Sequence, residues 1–317
     1  MLDAEADRKL DKIGRRLDEL YLGFRKPEPA LPARLFHFTD PQGTVGVVSS
    51  GRLWASNADY LNDSSEPVHA LKVLKSAFQE VLRNLRPGSV AERALSGCWD
   101  WAMNEYGTQG PHVYVFCFSE HDDLLSQWRS YGAEGAGYAL GFSAHGLLGL
   151  ARAAEGQYLL KITYDEGRQK QEGETVFKKI VSVVEDAERT PAPIDCTPFG
   201  DTTASRVDHK LRTAVLAEII RLRAKFKAPA FQEEGEWRLV HFVHPGQHEP
   251  EVQFRTAAEV IKPYVELNLN KAILPIEQVT IGPTLQPDLA RRALALLFAK
   301  RGYTNIDLRT SAVPFRR

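Results

Sequence analysis

The sequence predicts an α+β protein built around one sheet, and three observations carry that prediction. Patterns of short strands crowd the two ends of the chain. Long helical patterns fill its middle. Neither an internal repeat nor a sharp change of composition divides the 317 residues, so the strand-rich ends read as one domain interrupted by helical insertions. The expected organisation is an amphipathic helix and Pro-rich linker over 1–32, then a single domain over 33–317 with helical insertions at about 64–106 and 166–225.

Each element has its own signal. From Asp3 to Phe24, the residues Leu10, Ile13, Leu17, Leu20, Tyr21 and Phe24 recur at helical spacing among charges, giving an amphipathic helix able to pack on the body or on a second copy. Pro27, Pro29 and Pro32 end it. RLFHF, from Arg34 to Phe38, alternates as a strand, and Asp40 before Pro41 reads as an N-cap with proline at the first helical position of a short helix that stops at Gly51. Arg52 to Ser56 is a second strand. The loop from Asn57 to Glu66 is dense in turn formers and launches a helix from Pro67 to Leu85, followed by one from Ala91 to about Tyr106. HVYVFCFS, from His112 to Ser119, is the clearest buried strand, being aromatic and β-branched. Asp122 or Asp123 can cap a helix through Leu125, Trp128 and Arg129, after which strands are expected at Tyr138 to Phe142 and Tyr158 to Tyr164. Helices over about Glu172 to Glu188 and Arg206 to Ala224 precede four strands: Phe231 to Phe242, Glu251 to Arg255, Pro263 to Leu269 and Ile276 to Ile281. A helix from Pro287 to Arg301 and a strand near Asn305 to Leu308 close the chain.

Composition narrows the functional classes. Forty basic against 41 acidic residues leave a formal charge of −1, so no overall field recruits nucleic acid or an anionic membrane. A hydrophobic content of 43% suits a sizeable core. The three cysteines, Cys98, Cys117 and Cys196, are far apart and odd in number, which argues against a disulfide framework and points to the cytoplasm. The N-terminus is charged where a signal peptide needs an apolar core, and no run approaches the roughly 18 apolar residues of a membrane span.

The stretch richest in chemistry is FQEEGEWRLV, from Phe231 to Val240. If it is a strand throughout, Glu234, Glu236 and Arg238 share one face, and Glu233 looks the other way with Trp237. Two adjacent carboxylates need a cation, a shared proton or a ligand, so the segment is either a salt-bridge ladder or a site. His37 ends the first strand, Ser119 the strongest buried one, and Tyr131 and Tyr138 follow soon after. Each has a structural reading too: His37 as a satisfied core histidine, Ser119 as a cap, Trp128, Tyr131 and Tyr138 as core aromatics. GxSxG, GxxxxGKS, GxGxxG and HExxH are all missing. His241 and His244 form an HxxH beside Pro245 but without a helix to align them.

LFHFTD with GRLWAS after it, the LND…E of Leu61 to Glu66, VFCFSE, QWRSYG from Gln127 to Gly132, GYALGF, FQEEGEWRLV, VTIGPT and the terminal SAVPFR together resemble the bacterial domain of unknown function family 2971. The resemblance runs from about Leu35 to Arg316. A more distant similarity links a histidine ending the first strand in an HFT context, a hydroxyl or aromatic residue on a middle strand and a late E-x-E to the ADP-ribosyltransferases, in particular the DNA-targeting toxins. That similarity implies a split mixed or antiparallel sheet and NAD as substrate. It implies that His37, beside Thr39, contacts the adenosine ribose, that Ser119, Tyr131 or Tyr138 completes the nicotinamide pocket, and that Glu236 is the catalytic glutamate with Glu234 as helper. Arg129 or Arg238 would meet the diphosphate, with Trp128, Tyr131 or Tyr138 stacking on nicotinamide. The ADP-ribose acceptor would be a protein, a nucleic acid or water, in the setting of a toxin or phage-defence effector.

The residue types suit that chemistry. Loss of nicotinamide builds positive charge on the ribose, which a fixed carboxylate stabilises, and a second carboxylate can take the proton of the incoming nucleophile. Two other readings stand beside it: a nucleotide-binding or sensor module whose Glu234, Glu236 and Arg238 form a structural ladder, and a magnesium nuclease using Asp63, Glu66 and the late glutamates. A hydrolase built on Ser119 with His37 or His112 has nothing in the sequence to orient its base.

Overall fold

A computed structural model describes residues 15–16, 31–61, 66–108, 112–132, 137–154, 156–188, 203–243, 252–257, 260–267, 273–284 and 286–314. The expected N-terminal amphipathic helix and linker lie almost wholly outside the described residues. The fold is α+β, with one mainly antiparallel sheet and helices. The chain divides into two compact units, one comprising 1–26, 63–111 and 163–229, the other 27–62, 112–162 and 230–317.

The first unit is helical. It contains α2 (Glu66–Arg83), α3 (Val90–Thr108), α6 (Glu166–Glu188) and α7 (Thr203–Lys225), numbered in the chain order completed below. Phe78 stacks on Trp99 with ring centroids 4.5 Å apart, and Phe177 meets both edge-on. Leu74, Leu95, Ile180, Val215 and Ile219 are buried. Gln169 is fully buried and fully used: its amide donates to the carbonyls of Thr163 and Lys227, and its oxygen faces His69 at 3.0 Å. This satisfies the rule that a buried polar group keeps its hydrogen bonds.

The second unit holds the sheet. Its strands are β1 (Arg34–Thr39), β2 (Leu53–Asn57), β3 (His112–Ser119), β4 (Tyr138–Ser143), β5 (Gln157–Lys161), β6 (Glu236–Val243), β7 (Val252–Ala257), β8 (Val260–Leu267), β9 (Ile276–Ile281) and β10 (Asp307–Thr310). Its helices are α1 (Pro41–Ser50), α4 (Leu125–Tyr131), α5 (Ala144–Ala153) and α8 (Pro287–Lys300). The order along the main path is β10-β9-β4-β1-β3-β2-β8-β7, with β6 on β3 and β5 on β6. All pairings are antiparallel except β9 with β10.

Strand β3 is the hub. One edge pairs with β6 along its whole length, from His112 opposite Val243 to Ser119 opposite Glu236. The other edge is shared: β1 pairs only at Phe36 with Ser119, and β2 only at Ser56 with Val115 and Asn57 with Tyr114. Between those points the sheet divides into a β1-β4-β9-β10 leaf and a β2-β8-β7 leaf. Alternation then sorts the core. Leu35, Phe116, Phe118, Leu140, Phe142, Trp237, Leu239 and Val279 join one cluster with Val47 and Val48 of α1, Leu147 of α5, and Leu294 and Phe298 of α8. Phe36, Phe38 and Ala139 face the other way and pack with Trp128 of α4. Each large apolar side chain so buried contributes roughly 1.5–3 kcal/mol.

Local signals explain the helix that positions β1. Asp40 caps α1 by accepting from the Gly43 amide at 2.6 Å, Pro41 stands at its start, and Gly51 closes it in the left-handed region at φ 66°. Only a residue without a Cβ adopts that conformation cheaply. Elsewhere the structure departs from the sequence reading. Helix α5, capped by Ser143 at the Gly146 amide and carrying Arg152 in its last turn, has no proline at its start and is absent from the expected elements. Asp123 does not cap α4: its carboxylate takes Trp128 Nε1 at 2.7 Å, Ser311 Oγ at 2.5 Å and the Ala312 amide at 2.8 Å, tying the C-terminal segment to α4.

Candidate active site

The expected strand from Phe231 begins five residues late. Pro229–Glu234 forms a 3-10 turn, Gly235 sits at φ 52°, and β6 starts at Glu236. Glu234 and Glu236 therefore do not alternate along one strand face as the sequence suggested. The turn is fixed to β3: Ser119 Oγ donates to the Glu234 carbonyl at 2.6 Å, and the Glu120 amide donates to the Gly235 carbonyl at 3.0 Å. Ser119 Oγ also accepts from the His121 amide at 3.0 Å. Its hydroxyl is thus committed to holding the turn.

Glu236 is buried at 5% exposure, yet carries a charge partner two residues along the same strand. Arg238, at 1% exposure, donates Nε to one carboxylate oxygen at 2.7 Å and a terminal nitrogen to the other at 3.0 Å. Such a fork fixes the orientation of both groups, and burial without it would cost several kcal/mol. Arg238 is therefore engaged by Glu236, the internal pairing that stood beside its expected diphosphate role.

A second carboxylate supports the turn from beside it. Glu120 accepts from Trp237 Nε1 and from Lys161 Nζ, each at 2.8 Å. Burial alone would push its carboxyl up, but these two donors outweigh it and hold Glu120 below the usual carboxylate range.

His37 lies just past the last β1 residue paired with β3. Its ring packs on Phe116 with centroids 4.0 Å apart, and Nδ1 is 2.8 Å from the Cys117 carbonyl. A carbonyl only accepts, so Nδ1 bears the proton. Burial, partly offset by that bond and reinforced by the positive charge of Arg255, lowers His37 from 6.5 to about 4. At neutral pH the ring is uncharged and Nε2 is an acceptor. The backbone register puts His37, Thr39 and Tyr138 on one face, with Thr39 directly opposite Tyr138 and His37 opposite Leu140. Glu236, Ser119 and Phe36 share the other face. Both groups flank the point where β1 and β3 part.

The remaining expected residues separate. Trp128 is fully buried, edge-on to Phe38 at 4.7 Å, so it has no face for a nicotinamide ring and its role is to pack the sheet. Arg129 is exposed on α4, and so is Tyr131 at 41%. Tyr138 is partly buried, which raises its phenol above the ordinary value. Glu66 belongs to the helical unit and lies 4.0 Å from Lys227 Nζ; Asp63 and His244 are outside the described residues. Among the described residues, no three His, Cys, Asp or Glu side chains gather in a way that could hold a metal ion. No helix among them is long and apolar enough to cross a membrane.

Residues 127–239 match the family model described as Protein of unknown function (DUF2971). The matched segment begins at Gln127 in α4, takes in β4, β5 and the turn bearing Glu234, and ends at Leu239 in β6. No curated protein and no solved structure matches the chain.

Sequence reasoning missed Arg255 on β7, whose guanidinium donates to Ser56 Oγ at 2.7 Å and lies 5.8 Å from the Tyr264 ring centroid. It also missed Glu120. The alternation of Gln253 and Arg255 opposite Tyr264 and Lys262 was a strand signal, but nothing in it told which leaf the hairpin would join.

Proposed function

We propose that the protein is an ADP-ribosyltransferase-like enzyme that cleaves the nicotinamide–ribose bond of NAD and passes ADP-ribose to a macromolecule or to water. The observation that carries this reading is the neutral His37, pinned through Nδ1 to Cys117 where β1 leaves β3, with Glu236 heading β6 opposite Ser119 at the same end of β3. A neutral imidazole whose Nε2 accepts can take the proton of a ribose hydroxyl in a hydrogen bond without adding a positive charge beside the sugar.

In the proposed reaction the bond between the ribose C1′ and the nicotinamide nitrogen breaks, and its electron pair leaves with nicotinamide. Positive charge develops on the sugar and is stabilised by Glu236, whose orientation Arg238 sets. The acceptor's nucleophile bonds to C1′ and gives its proton to Glu234, held nearby by Ser119 through the backbone. Replacing Glu236 by Gln keeps its size and removes its charge. The expected result is a fall of about 100-fold or more in nicotinamide release, read at a temperature where thermal melting shows the variant folded, because a neutral partner leaves the buried Arg238 charge less compensated. Equal release by wild type and Glu236→Gln would sink the reading.

A second reading is favoured by the Glu236–Arg238 fork itself: a nucleotide-binding module of the same build in which the pair is structural. It predicts that NAD raises the melting temperature while no nicotinamide appears.

A further inference from the structure

Two cations lie directly opposite each other on the β7–β8 hairpin, Arg255 and Lys262. Neither has a carboxylate within 4.0 Å among the described residues, whereas Arg34, Arg52, Lys161 and Arg309 all do. Like charges side by side are unfavourable unless an anion or solvent compensates. The Arg255 side chain is oriented: it donates to Ser56 Oγ and lies against the Tyr264 ring. Ser56 is opposite Val115 on β3, and Cys117, two residues further along the same strand edge, holds His37. Two residues of strand span about 7 Å and the charge of Arg255 acts on His37, so the cations and the His37 imidazole approach the gap between the two leaves from its two faces. Desolvation, followed by the charge of Arg255, lowers Lys262, and desolvation lowers Arg255 against the opposing pull of Tyr264 and Asp40.

We propose that Arg255 and Lys262, oriented by Ser56 and Tyr264, form the subsite that takes the diphosphate of a dinucleotide whose ribose meets His37. The guanidinium fork matches two phosphate oxygens, and Lys262 adds a point charge. This assignment rests on the NAD reading for the identity of the ligand, but the anion subsite itself does not. It also replaces Arg129 and Arg238 in the role that the sequence pattern offered them.

The test titrates inorganic pyrophosphate, NAD and phosphate-free nicotinamide riboside into wild type, Arg255→Gln and Arg255→Lys by calorimetry at low salt. Thermal melting checks that each variant is folded. The expected outcome is pyrophosphate binding that competes with NAD, at least tenfold weaker binding of both in Arg255→Gln, partial recovery in Arg255→Lys, and unchanged binding of nicotinamide riboside. Pyrophosphate binding that depends on Arg255 in a protein that ignores NAD supports the anion subsite and defeats the NAD reading alone. Absence of pyrophosphate binding to wild type, or equal affinity in wild type and Arg255→Gln, overturns the subsite. Equal weakening of nicotinamide riboside in Arg255→Gln overturns it as well, because a general loss of the site would then account for the result.

Discussion

Glu236 and Arg238 form a two-point ion pair along a single strand, buried almost completely and standing at the head of β6. Removing the cation alone takes the forked charge partner away from a buried carboxylate. Arg238→Met is therefore expected to destabilise the protein by roughly 3–5 kcal/mol, more than the Arg238→Met/Glu236→Gln double variant. Urea denaturation of the four proteins of the cycle measures the coupling. A double variant no more stable than Arg238→Met would show that the pair is not what makes the arginine costly to lose.

The two glutamates of the turn and the one that heads β6 divide by role. Glu233 is exposed, Glu234 stands beside the docked turn, and Glu236 is buried. Glu233→Gln should leave NAD cleavage within about twofold of wild type. Glu234→Gln should lower transfer to an acceptor by at least about tenfold while NAD hydrolysis falls less, as befits loss of a general base for the incoming group. Parallel assays of nicotinamide release and of acceptor labelling check both, and equal losses in the two assays count against the assignment of Glu234.

The state of His37 predicts a pH dependence. Its value in the folded protein, about 4, lies below the ordinary 6.5, so between those values the unfolded chain binds more protons. Stability is then fully present above pH 6.5 and is lost as pH falls toward 4, by ~3 kcal/mol from this one group. His37→Phe preserves stacking on Phe116 and removes the titration, so its stability profile between pH 6.5 and 4 should be flatter than that of wild type. Denaturation midpoints at several pH values decide this, and parallel profiles would show that His37 does not titrate in that range. The same variant should weaken NAD binding at pH 7.5.

Two substitutions test how the turn is docked. Ser119→Ala removes the donor to the Glu234 carbonyl and the acceptor for the His121 amide, which should cost about 1–3 kcal/mol. Gly235→Ala forces an alanine to φ 52° and places a Cβ 3.3 Å from Glu120 Cβ and His121 Nε2, for a loss of about 1–2 kcal/mol. In the proposed reaction both variants also lose activity beyond their loss of stability, read as a lower kcat at a temperature where each is folded.

Much of the framework was legible because its signals are local. Asp40, Pro41 and Gly51 mark both ends of α1, and the unbroken apolar run of HVYVFCFS marks β3. The E-x-E pattern misled for a reason equally local to state. Periodicity assumes the strand continues, whereas Pro229 and the positive φ of Gly235 break it before Glu236. Trp128 shows another limit: an aromatic on a short helix reads the same whether it faces a ligand or seals the back of a sheet, and here it is fully buried against Phe38.

By itself the sequence determined the α+β class, the order of the strands along the chain and the residue types available for chemistry, because short-range sterics and the periods of helix and strand are written into neighbouring residues. Tertiary structure decided which of those residues meet. The division of β3's edge between β1 and β2 sets His37 at a gap, the fork from Arg238 compensates Glu236, and the hairpin register brings Arg255 beside Ser56. Each joins positions distant in sequence or depends on burial, and so on strand pairing and desolvation, which no local pattern encodes.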